Sequence, residues 1–553
     1  MPVRNCLALT LALATLACGP PPPPESPTDP APEASPDPEG NPAPEATAFE
    51  VRGDLEREKL PPAMPEVPLT KRALVKAPPG VPPAPPECAA FVRRKASAAA
   101  TCTSDGEARA ALVDAIAIGA PDARDAALAA LEACAPLPPG IARALRIELA
   151  PVACADTLAA PFLAAPAPGT GGLVYDTIYG LALTGMLSRT VQTPPEAPLP
   201  HDKANLKKWT DTTLKSWIQQ QAGAIQTLSE AGAKLRYYGR AVVAVEAGMA
   251  DMRFIDVARK VAIPSEFDSD AELAEAYYQG LEDALEPRKR RGRDAALVGL
   301  GNFATIGLLR DPRVTRAREL LSRMYGGAPV DALDALLLPP LEPVAPKTVD
   351  EQIAARVQSF YASLLLPPER AVPLLRFVIE RGLALPHRIA LAKTELSPEQ
   401  ALLVARARLE MGQAYWRKTD IDEAVALLAP LSAAERGERG QLLMATALAL
   451  RGGPANAMVM MNQAKGLGIG NVKALDKLAA SEGPYRGMAA FNAAYISQLT
   501  APGTAAATYW DAVAKRYEQA SSLLVDVRYK RLADERIEEA KQTAAAIRKR
   551  SQK

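Results

Sequence analysis

Seven positions between Ser397 and Lys465 recur after thirty-three residues, and this recurrence limits what the chain can fold into more than any other feature. Leu409, Gly412, Ala414, Tyr415, Ala424, Leu427 and Leu428 return at that offset as Leu442, Ala445, Ala447, Leu448, Ala457, Met460 and Met461. Each copy is apolar or small at the same places. Small residues at Gly412/Ala445 and Ala424/Ala457 let two helices approach closely. Large ones at Tyr415/Leu448 and Leu428/Met461 fill the seam. A lone helical hairpin cannot bury both of its faces, so such copies must stack. Outside the repeat Ala and Leu dominate, aromatic residues make up only 5%, and alternating β-branched runs are scarce. The expected fold class is all-α.

The small–large–small order, with a period near 34, resembles the tetratricopeptide repeat family. The resemblance implies an α-solenoid of helix-turn-helix repeats. Residues 397–465 carry it best. Ser359, Ala362, Ala371 and Leu375 fit a third copy more loosely, and pairs around Ala241 and Ala304 more loosely still. The family's arrays hold a peptide or a partner helix on a concave face lined by the first helix of each repeat. Carried over, that face comprises Arg406, Leu409, Gln413, Trp416 and Arg417 in one copy and Arg439, Leu442, Thr446 and Leu450 in the next. Arg406 and Arg439 occupy equivalent positions and suit carboxylates. Leu409 and Leu442 add an apolar strip, and Trp416 is an anchor if exposed. The alternative is that Trp416 and both leucines pack against a neighbouring repeat and the arginines are solvated.

The N-terminus points to export. Arg4 precedes a short apolar run, Cys6–Ala17, which is too short to span a bilayer and suits a secretory signal. The run ends Thr15-Leu16-Ala17-Cys18-Gly19 and is similar to a bacterial lipobox, with Thr15 where leucine is usual. This implies lipidation at Cys18; an ordinary cleaved signal with an incidental cysteine is the alternative. Residues 19–48 hold twelve prolines, six acids and no Lys or Arg. Such a stretch cannot bury a core and is expected to be disordered and extended, reaching on the order of 90 Å at polyproline spacing. A second proline-rich stretch, Pro61–Pro86, is expected to continue this tether.

Domain organisation is read accordingly: 1–17 a signal peptide, 18–87 a lipidated Pro-rich disordered linker, 88–166 a small Ala-rich helical domain, 173–346 a helical domain with loose repeat-like hairpins, and 347–553 the repeats with a C-terminal capping helix. Cys88, Cys102, Cys134 and Cys154, an even number in an exported chain, suggest two disulfides. Three pairings are possible. The local one, Cys88–Cys102 with Cys134–Cys154, is favoured because it staples successive helices; four buried thiols are the alternative.

Chemistry is sparse. The chain has 64 basic and 63 acidic residues, so a nucleic acid partner is not expected. The only histidines, His201 and His387, are far apart, and no pair of cysteines has zinc-ligand spacing, so neither metal nor cofactor is expected. Arg288–Arg293 reads as a solvated basic loop. Gly299-Leu300-Gly301-Asn302-Phe303-Ala304 fits the dinucleotide fingerprint in letters but lacks the preceding strand, and reads better as glycines for close helix packing. No catalytic motif is found. Ala241, Ala244, Gly248, Val257 and Pro264 suggest helix, tight turn, helix. The expected protein is an exported, membrane-anchored lipoprotein, in the outer membrane facing the periplasm or at the cell surface. Its expected role is an envelope scaffold binding other envelope proteins through its helical-repeat surface. A glycan-acting enzyme of the cell wall, with carboxylates drawn from residues 173–346, is the alternative.

Overall fold

A computed structural model describes residues 67–93, 102–267, 270–309, 311–324, 336–341, 344–380, 396–415, 418–451 and 472–551. Cys18, His387, Trp416, Arg417 and the second helix of the second repeat copy, with Ala457, Met460 and Met461, lie outside the described residues. Among the described residues the chain is all-helical, without a strand.

Four of the helices start where a side chain serves a free N–H group. The first six are α1 (Cys88–Arg93), α2 (Asp105–Ala117), α3 (Pro121–Leu131), α4 (Ile141–Leu149), α5 (Ala155–Ala164) and α6 (Gly172–Ser188). Ser104 caps α2 by accepting from the Glu107 N–H at 3.3 Å, and Pro121 opens α3, where its missing N–H costs nothing. Next come α7 (Lys203–Trp209), α8 (Lys215–Ala233), α9 (Tyr237–Arg259), α10 (Ala271–Thr305) and α11 (Pro312–Met324). Asp202 caps α7 and Asp270 caps α10. Then follow α12 (Val349–Arg356), α13 (Ser359–Leu365), α14 (Pro368–Ala371) and α15 (Leu375–Glu380). Thr348 and Glu351 form a reciprocal capping box on α12.

Helix α9 is the centre of this part, packed by α6, α8, α10 and α11. It runs unbroken through Ala241, Gly248 and Val257, where a helix-turn-helix was expected. Its crossing with α6 is close because a Cβ on Gly180 would lie 2.4 Å from the Gly239 carbonyl oxygen. Long-range packing of α12 on α2 closes the group. One apolar cluster runs from Val67 to Tyr415, including residues on both sides of Pro161–Gly172.

One expected loop is something else. Arg288–Arg293 lies inside α10, not in a solvated loop. Arg288 is buried, donates to Asp251 Oδ1 at 3.1 Å and stacks 3.6 Å above the Phe254 ring, so α9 supplies the partner that lets a basic run sit in a helix. The glycine fingerprint lies further along α10. A Cβ on Gly299 would meet Val245 Cγ2 at 2.6 Å, which is the close packing expected there.

Residues 67–87, expected to belong to the free tether, lie along the helical body. Tyr175 OH accepts from the Arg72 N–H at 3.0 Å, and Tyr179 OH donates to the Ala73 carbonyl at 2.9 Å. Arg189 donates to the Pro82 carbonyl at 3.0 Å and Gln221 to the Gly80 carbonyl at 2.9 Å. A proline-rich strand offers few N–H donors, and these side chains serve the carbonyls it leaves open. The segment ends at a disulfide, Cys88–Cys154, and the second bridge is Cys102–Cys134. The pairing is therefore not the local one. Helices α2 and α3 return on each other, so Cys102 before the first meets Cys134 after the second.

The C-terminal part comprises α16 (Pro398–Tyr415), α17 (Lys418–Leu428), α18 (Ala433–Arg451), α19 (Lys473–Ala479), α20 (Arg486–Leu499), α21 (Ala507–Leu523) and α22 (Val527–Ser551). The first copy of the repeat is the hairpin α16–α17, and α18 begins the second. Each helix packs on its neighbour in the chain where both are described, and α18 also touches α16 and α20. Leu409, Ala424 and Leu428 meet Leu443, Met444 and Ala447 in one cluster. Leu442 and Ala445 join Phe491, Tyr495 and Tyr517 in the next.

Candidate functional site

The face expected to hold a peptide is covered by an extended stretch of the same chain, Leu336–Leu341. It reaches α16, α18 and α20 from outside the repeat. Asn492 on α20 brackets one residue of it: its Oδ1 accepts from the Leu337 N–H at 2.7 Å and its Nδ2 donates to the Leu337 carbonyl at 3.0 Å. The same Nδ2 reaches Thr446 Oγ1 on α18 at 3.1 Å. Arg406 on α16 donates through Nε to the Pro339 carbonyl at 3.0 Å. Leu336, Leu337 and Leu338 are buried, the first two beside Leu442 and Ala445, the third beside Ala405 and Leu409. A cavity of about 470 Å³ remains beside the three leucines, lined in part by Arg318, Arg406, Glu410, Gln413 and Tyr529.

The expected site residues are thus divided. Arg406 is buried and shared between the Glu410 carboxylate of its own helix, at 2.8 Å, and the Pro339 carbonyl. Gln413 is half-buried at the cavity and Arg439 half-buried on α18. Leu409, Leu442 and Thr446 are buried, so the apolar strip is not an open surface. Trp416 and Arg417 lie outside the described residues. Asn492 was not anticipated. The signal available was a lone amide within Ala489-Ala490-Phe491-Asn492-Ala493-Ala494-Tyr495, an apolar run that buries any polar group it carries.

A second concentration of polar groups lies between α4, α9, α11 and α13. Arg313 donates to Glu148 Oε1 through Nε at 3.0 Å, with Nη2 at 2.9 Å from the same oxygen. Tyr238 and Tyr361 point their hydroxyls at Glu148 Oε2, at 3.3 and 3.2 Å. Gln358 donates to the Tyr238 hydroxyl at 3.1 Å and to Asp311 Oδ2 at 3.0 Å. Burial first, then the Asp311 and Glu148 charges, holds the Tyr238 phenol well above its usual range. A cavity of about 460 Å³ adjoins, with Glu148, Arg313, Arg316 and Gln358 in its wall.

Asp311 is the group there with a physiological titration. Burial, and secondly the Glu148 charge, pushes its carboxyl up to about 6, against the opposing bonds from the Arg313 N–H and Gln358. The unfolded chain gives up this proton near 3.8. Between those values the folded protein keeps a proton that the unfolded chain has lost. The resulting stability is complete below about pH 4 and is lost as pH rises through about 6. Asp311→Asn is expected to flatten the pH dependence of unfolding between pH 4 and 7 by roughly 2–3 kcal/mol. Denaturant titrations of both proteins across that range check it; parallel profiles would refute it.

His201 offers a main-chain carbonyl to the Ser265 N–H at 2.9 Å. Among the described residues no three His, Cys, Asp or Glu side chains are grouped to hold a metal, and no helix is long and apolar enough to cross a membrane. No family model, curated protein or solved structure matches the chain.

Proposed function

We propose that the protein is an exported scaffold of the bacterial envelope, tethered by a lipid on Cys18, whose C-terminal helices form a tetratricopeptide-like solenoid that holds an extended segment of a partner protein. The observation that carries this reading is the Asn492 bracket on Leu337. A side-chain amide that satisfies both main-chain groups of one extended residue recognises a peptide by its backbone. The chain before Val67 supplies the tether, rich in proline and free of the aromatic density a core needs. The partner lies in the outer membrane, the periplasm or at the cell surface, within reach of that tether.

The test is crosslinking in intact cells, followed by purification of the chain. Wild type is compared with a Gln413→Ala/Arg439→Glu variant. Both positions are half-buried, and Arg439 shares a face of α18 with Leu442 and Thr446 by helical spacing. One envelope protein is expected to crosslink to wild type and to fall at least fivefold in the variant. A well-expressed wild type that captures no envelope protein overturns the scaffold. The alternative, cleavage of cell-wall glycan, draws on the Asp311 acid beside Glu148 and the adjoining cavity. Release of soluble glycan by wild type, absent in Asp311→Asn, would favour it.

A further inference from the structure

The segment Leu336–Leu341 is attached as a ligand is attached. Its main chain is held by side chains of α16 and α20, through one N–H and two carbonyls. Pro339 and Pro340 have no N–H, so those positions ask for no further acceptor. Leu336 and Leu337 enter one apolar cluster and Leu338 enters another.

The same five residues occur twice. Leu336-Leu337-Leu338-Pro339-Pro340 returns as Leu364-Leu365-Leu366-Pro367-Pro368. The second copy closes α13, and its Leu365 carbonyl is taken by Nη2 of buried Arg109 at 2.9 Å. In each copy a buried guanidinium from another helix takes a main-chain carbonyl, that of the first proline in one and of the second leucine in the other. A cavity of about 470 Å³ lies beside Leu336–Leu338, towards Arg318, Gln413 and Tyr529.

We propose that Leu336–Pro340 is an internal occupant of a peptide-binding groove, and that the partner's segment is an extended leucine-rich peptide ending in a proline pair, which displaces it. This rests on the scaffold reading and specifies its ligand. Backbone recognition by Asn492 and Arg406 accepts any sequence that is extended there. The leucine pockets and the absence of N–H groups at the last two positions select for leucines followed by prolines. Prolines also lower the entropy lost when the peptide is fixed. The internal copy belongs to the same chain and competes within it, so a free peptide binds the intact chain weakly.

The probe is a fluorescein-labelled peptide of residues 334–343, added to the full chain and followed by anisotropy. Leu336→Ser/Leu337→Ser/Leu338→Ser vacates the groove. The vacated chain is expected to bind at least tenfold more tightly than wild type. Adding Asn492→Ala to it is expected to weaken binding at least tenfold. A vacated chain that unfolds cooperatively yet binds no better than wild type overturns the proposal.

Should the vacated chain fail to fold, wild type with excess peptide is followed by amide hydrogen exchange. Faster exchange at Leu336–Leu338 means displacement; unchanged exchange at saturating peptide overturns it. Peptide-independent dimers of wild type that exchange this segment between copies would make a second copy the occupant, and the proposal would also fail. The scaffold reading fails separately. An envelope partner that is captured while the peptide never binds leaves the scaffold standing and removes the groove. Peptide binding with no captured envelope protein does the reverse.

Discussion

Glu148→Leu is expected to destabilise the fold by about 3–5 kcal/mol, the largest loss for a single side chain in the N-terminal part. Glu148 ends α4 and receives Arg313 from α11, Tyr238 from α9 and Tyr361 from α13. Both tyrosines are fully buried. Leucine would fill much of the space but accept none of these bonds. The guanidinium would stay in the interior without its carboxylate, and two phenols would lose their acceptor. The cost comes from what is stranded more than from the pair itself, because two charges removed from water gain little on balance when they meet. Arg313→Met added to Glu148→Leu should therefore recover a good part of the loss. Guanidinium unfolding of the wild type, both single variants and the double variant measures this coupling. A single-variant loss below about 1 kcal/mol would show that the cluster is not the joint described.

Removing the Cys88–Cys154 bridge by alanine at both positions is expected to cost about 4 kcal/mol, and removing Cys102–Cys134 slightly less. The bridges span 66 and 32 residues of sequence, and the entropy restored to the unfolded chain grows slowly with that length. Their local consequences differ more. Cys88 ends the stretch that lies on α6, so its loss should also speed proteolysis within residues 67–87. Cys102 and Cys134 clasp the open end of the α2–α3 hairpin, so their loss should leave that stretch protected. Unfolding midpoints and limited digestion under oxidising conditions distinguish the two. Equal digestion of both variants would refute the assignment of the first bridge as an anchor.

The C-terminal helices were readable because their pattern is local. Spacing of 3.6 residues, with small residues where helices cross, needs only neighbours within about thirty residues. Thus α16, α17 and the start of the second copy follow from the recurrence, and α20 to α22 from amphipathic spacing and turn residues. Residues placed on an open face of α16 and α18 are instead partly covered, which was not visible in the sequence. Leu442 and Thr446 are buried because Leu336–Pro340 arrives from more than a hundred residues upstream. That segment has no period of its own, and the bond from Leu337 to Asn492 joins positions 155 residues apart.

The misread places share that cause. Arg288–Arg293 looked like a solvated loop because its counter-charge, Asp251, belongs to another helix. Pro61–Pro86 looked like one continuous spacer, although Tyr175, Tyr179, Arg189 and Gln221 bind its described part, which begins at Val67. The cysteine pairing turned on the return of α3 along α2, a matter of helix packing and not of spacing. By itself the sequence determined helix and the alanine-and-glycine crossings, because these depend on backbone propensity and the shape of nearby side chains. Tertiary structure alone decided which charges are paired, which cysteines meet and what covers Leu409 and Leu442, because each requires an acceptor, a thiol or a carbonyl brought in from a distant part of the chain.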